Sequence, residues 1–213
     1  MFKIRVRGPR ACFTRPELKA ERVSYDVITP SATIGILEAI LWKPAIRWHV
    51  KWIDVLAPVR WASSRTNEVA NKASARNEHI VADSSTERQQ RNMVYLRDVD
   101  YVIGVDFSMT EHAGERDSVQ KFNDMFARRL SLGQHFRPPV LGVREFPAIV
   151  EEAPAEYTPQ DLTRPYGRMF FGYDHPGEGK RPMFFDAKIV KGRLEVPDRR
   201  SVLLAHGHRS VQC

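Results

Sequence analysis

The chain has 213 residues, 42% hydrophobic and 28% charged, with 33 Lys/Arg against 26 Asp/Glu and a formal net charge of +7. That length suits one large domain or two small ones, and the apolar content excludes a disordered tail. The two cysteines, Cys12 and Cys213, form neither a disulfide framework nor a zinc site, no apolar run is long enough to span a membrane, and no signal-peptide pattern opens the chain, so a cytoplasmic protein without membrane contact is expected.

Residues 2–7 alternate apolar and basic, which predicts a strand with Phe2, Ile4 and Val6 on the core face and Lys3, Arg5 and Arg7 on the other. Residues 1–22 hold seven Lys/Arg against two acids, and basic charge gathered on one sheet face favours a nucleic-acid partner over a merely solvated face. A polar, proline-bearing segment (Arg10–Glu21) leads into the extended SYDVITPSA. Pro30 and Ser31 stand at a helix start, and apolar residues at 34, 37, 40 and 41 predict a helix that Pro44 ends. RWHVKWIDVLAPVRW predicts strand structure, with Trp48, Val50 and Trp52 alternating with His49 and Lys51.

Residues 62–92 are polar, with Ile80 and Val81 as their main apolar pair, and are too long for a structureless loop. An extended hairpin or flap is expected. MVYLRDVDYVIGVDFSM (93–109) predicts another strand. A helix over about 118–132 follows, with Met125, Phe126 and Leu130 sharing an apolar face and Gly133 as its stop; VLGVREFPAIV (140–150) then predicts a strand. From Ser118 to Arg144 there are five Lys/Arg and one acid, a balance that suits a polyanion.

With the hairpin as an insertion, this order is β-α-β-β-α-β. The expected fold is therefore α+β, a ferredoxin-like (RRM/RAMP) domain over residues 1–150 with a β-hairpin inserted at about 60–95. EEAPAEYTPQDLTRP reads as a linker. GRMFFGYD, RPMFFDAKIV and GRLEVP, with turns at PGEGK and KG, predict a small antiparallel β domain over 151–213 that ends in a frayed tail.

Trp42, Trp48, Trp52 and Trp61 are candidates for stacking on unpaired bases. Alternating strand tryptophans read as core, which leaves Trp42, beside Lys43 and Pro44 at a helix end, as the surface candidate. The seven histidines show no HExxH spacing, and GxSxG, GxGxxG and P-loop patterns are absent. Asp98, Asp100 and Asp106 lie on a strand pattern, one side, and read as solvated. No metal and no cofactor is expected. Nuclease chemistry on these residues would be metal-independent, with the 2′-hydroxyl of RNA as nucleophile and Lys, His or Tyr as base, acid and charge stabiliser.

SYDVITPSATIGILEAILWKPAIRW, the helix KFNDMFARRL and then LGQHFRPPVLGVREFPA resemble, in that order, the type I-C CRISPR-associated Cas-five family (subtype d, also called c). The resemblance covers about 1–150 well. It implies a RAMP-type ferredoxin-like domain, cleavage of the precursor CRISPR RNA within its repeat stem-loop, and later residence at the 5′ handle of the guide among the other subunits of the Cascade complex. Family enzymes with a described site use a tyrosine just before the WKP motif and a Lys-His pair at the start of the second helix. Here Lys121 matches, while Leu41 and Phe122 occupy the tyrosine and histidine places, and a histidine at 122 is expected to raise the rate. The catalytic candidates are Lys121, with Tyr25, His112 and His135 near the same elements. Those for holding RNA are Arg22, Trp42, Lys43, Arg128, Arg129 and Arg144. The alternatives are a non-catalytic scaffold that caps the 5′ handle, and a non-specific binder of duplex DNA.

Overall fold

Alternation in the opening strand is met directly: in β1 (Phe2–Ala11), Ile4 and Val6 are fully buried. The computed structural model describes residues 1–18, 21–69, 88–175 and 179–206; the Ile80–Val81 pair, part of the PGEGK turn, Cys213 and most of the expected frayed tail lie outside these. A short β2 (Arg22–Val23) precedes α1 (Pro30–Ile40). Its cap is Thr29, whose hydroxyl accepts the Ala32 N–H at 3.2 Å, and Pro30 sits in the first turn, where it needs no hydrogen-bond partner. Then come β3 (Ile46–Val55), β4 (Arg60–Val69) and β5 (Arg88–Met109).

β5 is a single 22-residue strand with two tasks. Its outer half, Arg88–Arg97, pairs with β4 as the expected hairpin, while its inner half lies between β1 and β3. In α2 (Val119–Ser131), Ser118 caps the Lys121 N–H at 3.2 Å, and the buried face is Phe122, Phe126 and Leu130, spaced by four, with Met125 only packed against it.

The rest of the chain is β6 (Ile149–Glu152), β7 (Arg164–Asp174), β8 (Arg181–Val190), β9 (Arg193–Glu195) and α3 (Arg199–Ala205). The strand expected over 140–150 is mostly a turn, and strand structure starts only at Ile149. Leu141 N–H bonds the Phe146 carbonyl at 2.7 Å, and Gly142, at φ +89°, lies so close to the Cys12 backbone that no side chain fits there.

The fold is mixed α/β, built on one mostly antiparallel sheet ordered β6-β1-β5-β3-β9-β8-β7, with β2 and β4 also on β5. In both β1-α1-β3 and β5-α2-β6, two parallel strands flank one antiparallel strand and a helix connects them. Trp48, Phe107, Phe122 and Phe126 pack edge to face between sheet and α2.

A bulge at Lys51 shifts the register of β3 on β5, so that Trp52 faces away from Trp48 instead of sharing its side. The Trp52 indole lies over Gly104, where a Cβ would collide with the ring, and the Arg193 guanidinium stacks on its other side at 4.3 Å. Arg193 then grips Asp54, a fully buried carboxylate, through two hydrogen bonds of 2.7 Å, and Tyr157 donates a third at 2.9 Å.

These bonds tie β9 to β3. They also pin the segment expected to be a linker, since Gln160 bonds the backbone of Val55 and Leu56 at 2.8 Å. Arg193→Ala leaves a buried carboxylate short of its cation. The expected loss is about 2–4 kcal/mol, below the value for a fully buried pair because water screens the half-exposed guanidinium. Urea denaturation of parent and variant checks it, with Lys188→Ala, exposed on β8, as the neutral control.

Candidate nucleic-acid cleft

β9 covers only Trp52–Asp54 of the outer edge of β3, so the strand's first half is left open on that side. A cavity of about 910 Å³ opens there. Its walls are the end of α1 with Trp42 and Lys43, the end of β5 with Ser108 and His112, the end of β7 with Tyr173 and His175, and the start of α3 with Arg199. The indole N–H of Trp48 donates to the Leu41 carbonyl at 3.0 Å, which fixes the turn after α1 and leaves Trp42 61% exposed at the cleft mouth.

Lys43, Arg47 and Lys51 line the cleft and make no ion pair among the described residues. Arg199 is held by Asp174 at 3.1 Å, and Asp198 is occupied in capping α3. Burial pushes the Glu38 carboxyl up, toward its neutral form, and so weakens one of the cleft's few negative charges. The cleft is thus a basic groove with an exposed indole, three histidines and a tyrosine. His49 is the most constrained of them: its Nε2 lies 2.8 Å from Ser108 Oγ, and burial, then the neighbouring Lys51 and Arg47, push its pKa down.

Of the residues expected from sequence, Trp42, Lys43 and His112 meet in this cleft. Lys121 stands outside its lining, in the first turn of α2, and pairs with Asp117 at 2.8 Å; Lys43 acts on the same carboxylate, which is held below the usual range chiefly by the Lys121 hydrogen bond. Arg128 is exposed and makes no ion pair among the described residues. Arg144 lines a separate cavity of about 710 Å³ with Arg137, along another face of α1, and His135 borders a third of about 180 Å³.

Several expectations change. Tyr25 is 2% exposed, packed beneath Arg15 at 4.4 Å, and cannot meet a bound polymer. Arg129 donates to the Ile40 carbonyl at 2.6 Å and so joins α2 to the end of α1, while Arg22 is paired with Glu145 at 3.0 Å and Glu68 at 3.3 Å. The basic face of β1 is neutralised as well. Arg5 pairs with Asp100 at 2.7 Å and Arg7 with Glu151 at 3.1 Å, so Asp100 is not a solvated carboxylate, and Asp98, at φ 52°, is a local irregularity within β5 that pairs with Arg60 at 3.6 Å.

Leu41 is fully buried and Phe122 2% exposed, both in the core. A histidine at 122 would bury an imidazole against Phe107, with the Lys121 ammonium 5.6 Å from the present ring, so a cost in stability is expected beside any gain in rate. Arg47, His49, Lys51, Tyr173, His175 and Arg199 had not been singled out as a site. The alternation RWHVKW carried a signal for the first three; nothing local links them to β7 and α3.

The profile of the family described as CRISPR-associated protein (Cas_Cas5) matches residues 1–193. The chain is 43% identical over 213 residues to the "CRISPR pre-crRNA endoribonuclease Cas5d" of Mannheimia succiniciproducens, covering 92% of this chain and 94% of that protein. It is 40% identical over 214 residues to the protein of the same name from Thermus thermophilus, covering 92% and 91%. A crystal structure described as a CRISPR-associated protein shares the fold at a TM-score of 0.71 and 23% identity, over 94% of this chain and 93% of that one.

Free cations at the cleft and paired ones elsewhere give distinct expectations for a single-stranded RNA probe. Arg47→Ala and Lys51→Ala should each flatten the log–log salt dependence of binding by about 0.7. Arg22→Ala should leave the slope unchanged. Titration at several salt concentrations measures all three.

Proposed function

Because the chain belongs to the CRISPR-associated protein (Cas_Cas5) family, we propose that it is an endoribonuclease that cuts precursor CRISPR RNA within its repeat, without a metal ion, and then stays at the 5′ handle of the guide in the Cascade complex. The observation that carries this reading is the basic cleft, where unpaired Lys43, Arg47 and Lys51 surround histidines and an exposed indole. Cations at this density hold the phosphates on either side of a scissile bond, and Trp42 offers a face for an unstacked base.

Cleavage by the substrate's own 2′-hydroxyl needs a base, an acid and a cation near the phosphorane, and the cleft holds side chains for each. Lys121, next to Asp117 and Lys43, serves at the rim of the same site; Arg128 and Arg144 guide the flanking strand. Among the described residues no three His, Cys, Asp or Glu converge as a metal would need, and the cationic lining disfavours a divalent ion.

Incubation of the protein with repeat RNA in EDTA tests the reading. The expected products carry a 5′-hydroxyl and a 2′,3′-cyclic phosphate, and RNA with a 2′-deoxy nucleotide at the scissile position should stay intact. A strict divalent-metal requirement, or cleavage of the deoxy substrate, refutes the mechanism. Lys121→Ala should slow cleavage strongly and leave affinity within a few-fold. Burial of Leu41 and Phe122 favours a second reading, a non-catalytic scaffold. Phe136, 88% exposed, and Leu132, 64% exposed, give such a scaffold an apolar contact for another subunit. Tight binding without cleavage supports it, and equal affinity for duplex DNA would instead favour non-specific binding.

A further inference from the structure

The places where the resemblance implies proton-transferring residues hold Leu41 and Phe122, both buried, so cleavage, on the reading above, needs another base. Among the described residues, His49 is the one of the three cleft histidines whose ring is hydrogen-bonded to a side chain of the cleft wall, whereas His112 lies 3.8 Å from the Glu111 carboxylate. It projects from the open half of β3 between Arg47 and Lys51, with Nε2 at 2.8 Å from Ser108 Oγ on β5, while its Nδ1 has no partner among the described residues. We propose that His49 takes the proton from the attacking 2′-hydroxyl through Nδ1, with Ser108 holding the ring in place by accepting from Nε2–H.

The step balances within the cleft. The 2′-oxygen loses its proton to Nδ1 and bonds to phosphorus. The bond from phosphorus to the 5′-oxygen breaks, and the leaving oxygen takes a proton from the protonated form of His112, on the loop after β5. A cyclic phosphate and a 5′-hydroxyl remain, and no oxidant, metal or co-reactant is consumed.

The charges that face His49 come from three elements: Arg47 and Lys51 on β3, Asp106 on β5 and Arg199 on α3. Burial and the three cations favour the neutral ring, and Asp106 opposes them. The sign is therefore fixed. A base must be neutral to act, so the rate rises with pH as His49 loses its proton, and with the cations prevailing this rise lies below the ordinary histidine value of about 6.5.

Single-turnover cleavage of repeat RNA in EDTA, followed from about pH 5 to about pH 8, tests the assignment with the intact protein. His49→Ala should slow the step by roughly 10²–10⁴-fold while RNA affinity stays within a few-fold; it should also remove the rise at low pH, and added imidazole should restore part of the rate. Ser108→Ala, which frees the ring, should lower the rate less and shift the rise. If His49→Ala is unfolded by circular dichroism, His49→Gln, which keeps a polar group in reach of Ser108, should show the same loss of rate. A parent that cleaves and a folded His49 variant with the parent's rate and pH profile overturn the assignment alone. A parent that binds RNA but never cleaves it overturns the endonuclease reading and this assignment together.

Discussion

The contact on which the rest of the architecture depends is a buried carboxylate. Asp54 has no exposure to water and is held by Arg193 and Tyr157, which arrive from opposite sides of the chain's C-terminal third. Burying a charge is tolerable only if it is paired and its lone pairs are satisfied, and here three hydrogen bonds do both. The same guanidinium stacks on Trp52, which in turn lies against β5 at Gly104, where the missing Cβ leaves room for the ring. One residue of β9 thus fixes where β7, β8 and α3 stand relative to β3. The far wall of the cleft, with Tyr173, His175 and Arg199, is placed by that contact.

Positive charge in this protein has two destinations. On the sheet face of β1 and at the root of the hairpin, arginines meet acids from neighbouring strands and from the turn before β6: Arg5 with Asp100, Arg7 with Glu151, Arg22 with Glu68 and Glu145. Such partly exposed pairs add little stability, yet they remove those cations from competition for a polyanion. At the open edge of β3 Lys43, Arg47 and Lys51 make no ion pair among the described residues, and there the field is free to act on a ligand. A net charge of +7 therefore understates how local the basic surface is.

Leu41 and Phe122, at the places where the resemblance implies a tyrosine and a histidine, share a structural role. Leu41 closes the core under the α1–β3 turn, and Phe122 meets Phe107 edge to face under α2. Both side chains contribute apolar packing at the places where the resemblance implies a proton-transfer group. The polar chemistry near these elements lies instead on the opposite side of the turn, in Lys43, His49 and His112. Packing and reactivity are divided between the two sides of one short segment.

Periodicity alone carried much of this protein. The alternation of β1, the helical spacing of α1 and α2, and the length of the hairpin segment were legible because each element's own sequence decides which side meets water. Family resemblance was legible too, in two long blocks with the right order and separation. Trp42 and Lys43 were readable as surface groups because Pro44 ends the helix beside them.

Other features needed contacts between distant segments. The bulge at Lys51 turns Trp52 and Asp54 to the other face, against the simple alternation of RWHVKW, because the register with β5 shifts by one residue there. Tyr25 looked available until tertiary packing covered it, and Arg129 looked free until α1 ended within its reach. The cleft belongs to this second class. Its walls come from five elements spread over most of the chain, and only the folded sheet, latched at Asp54, brings them to one edge.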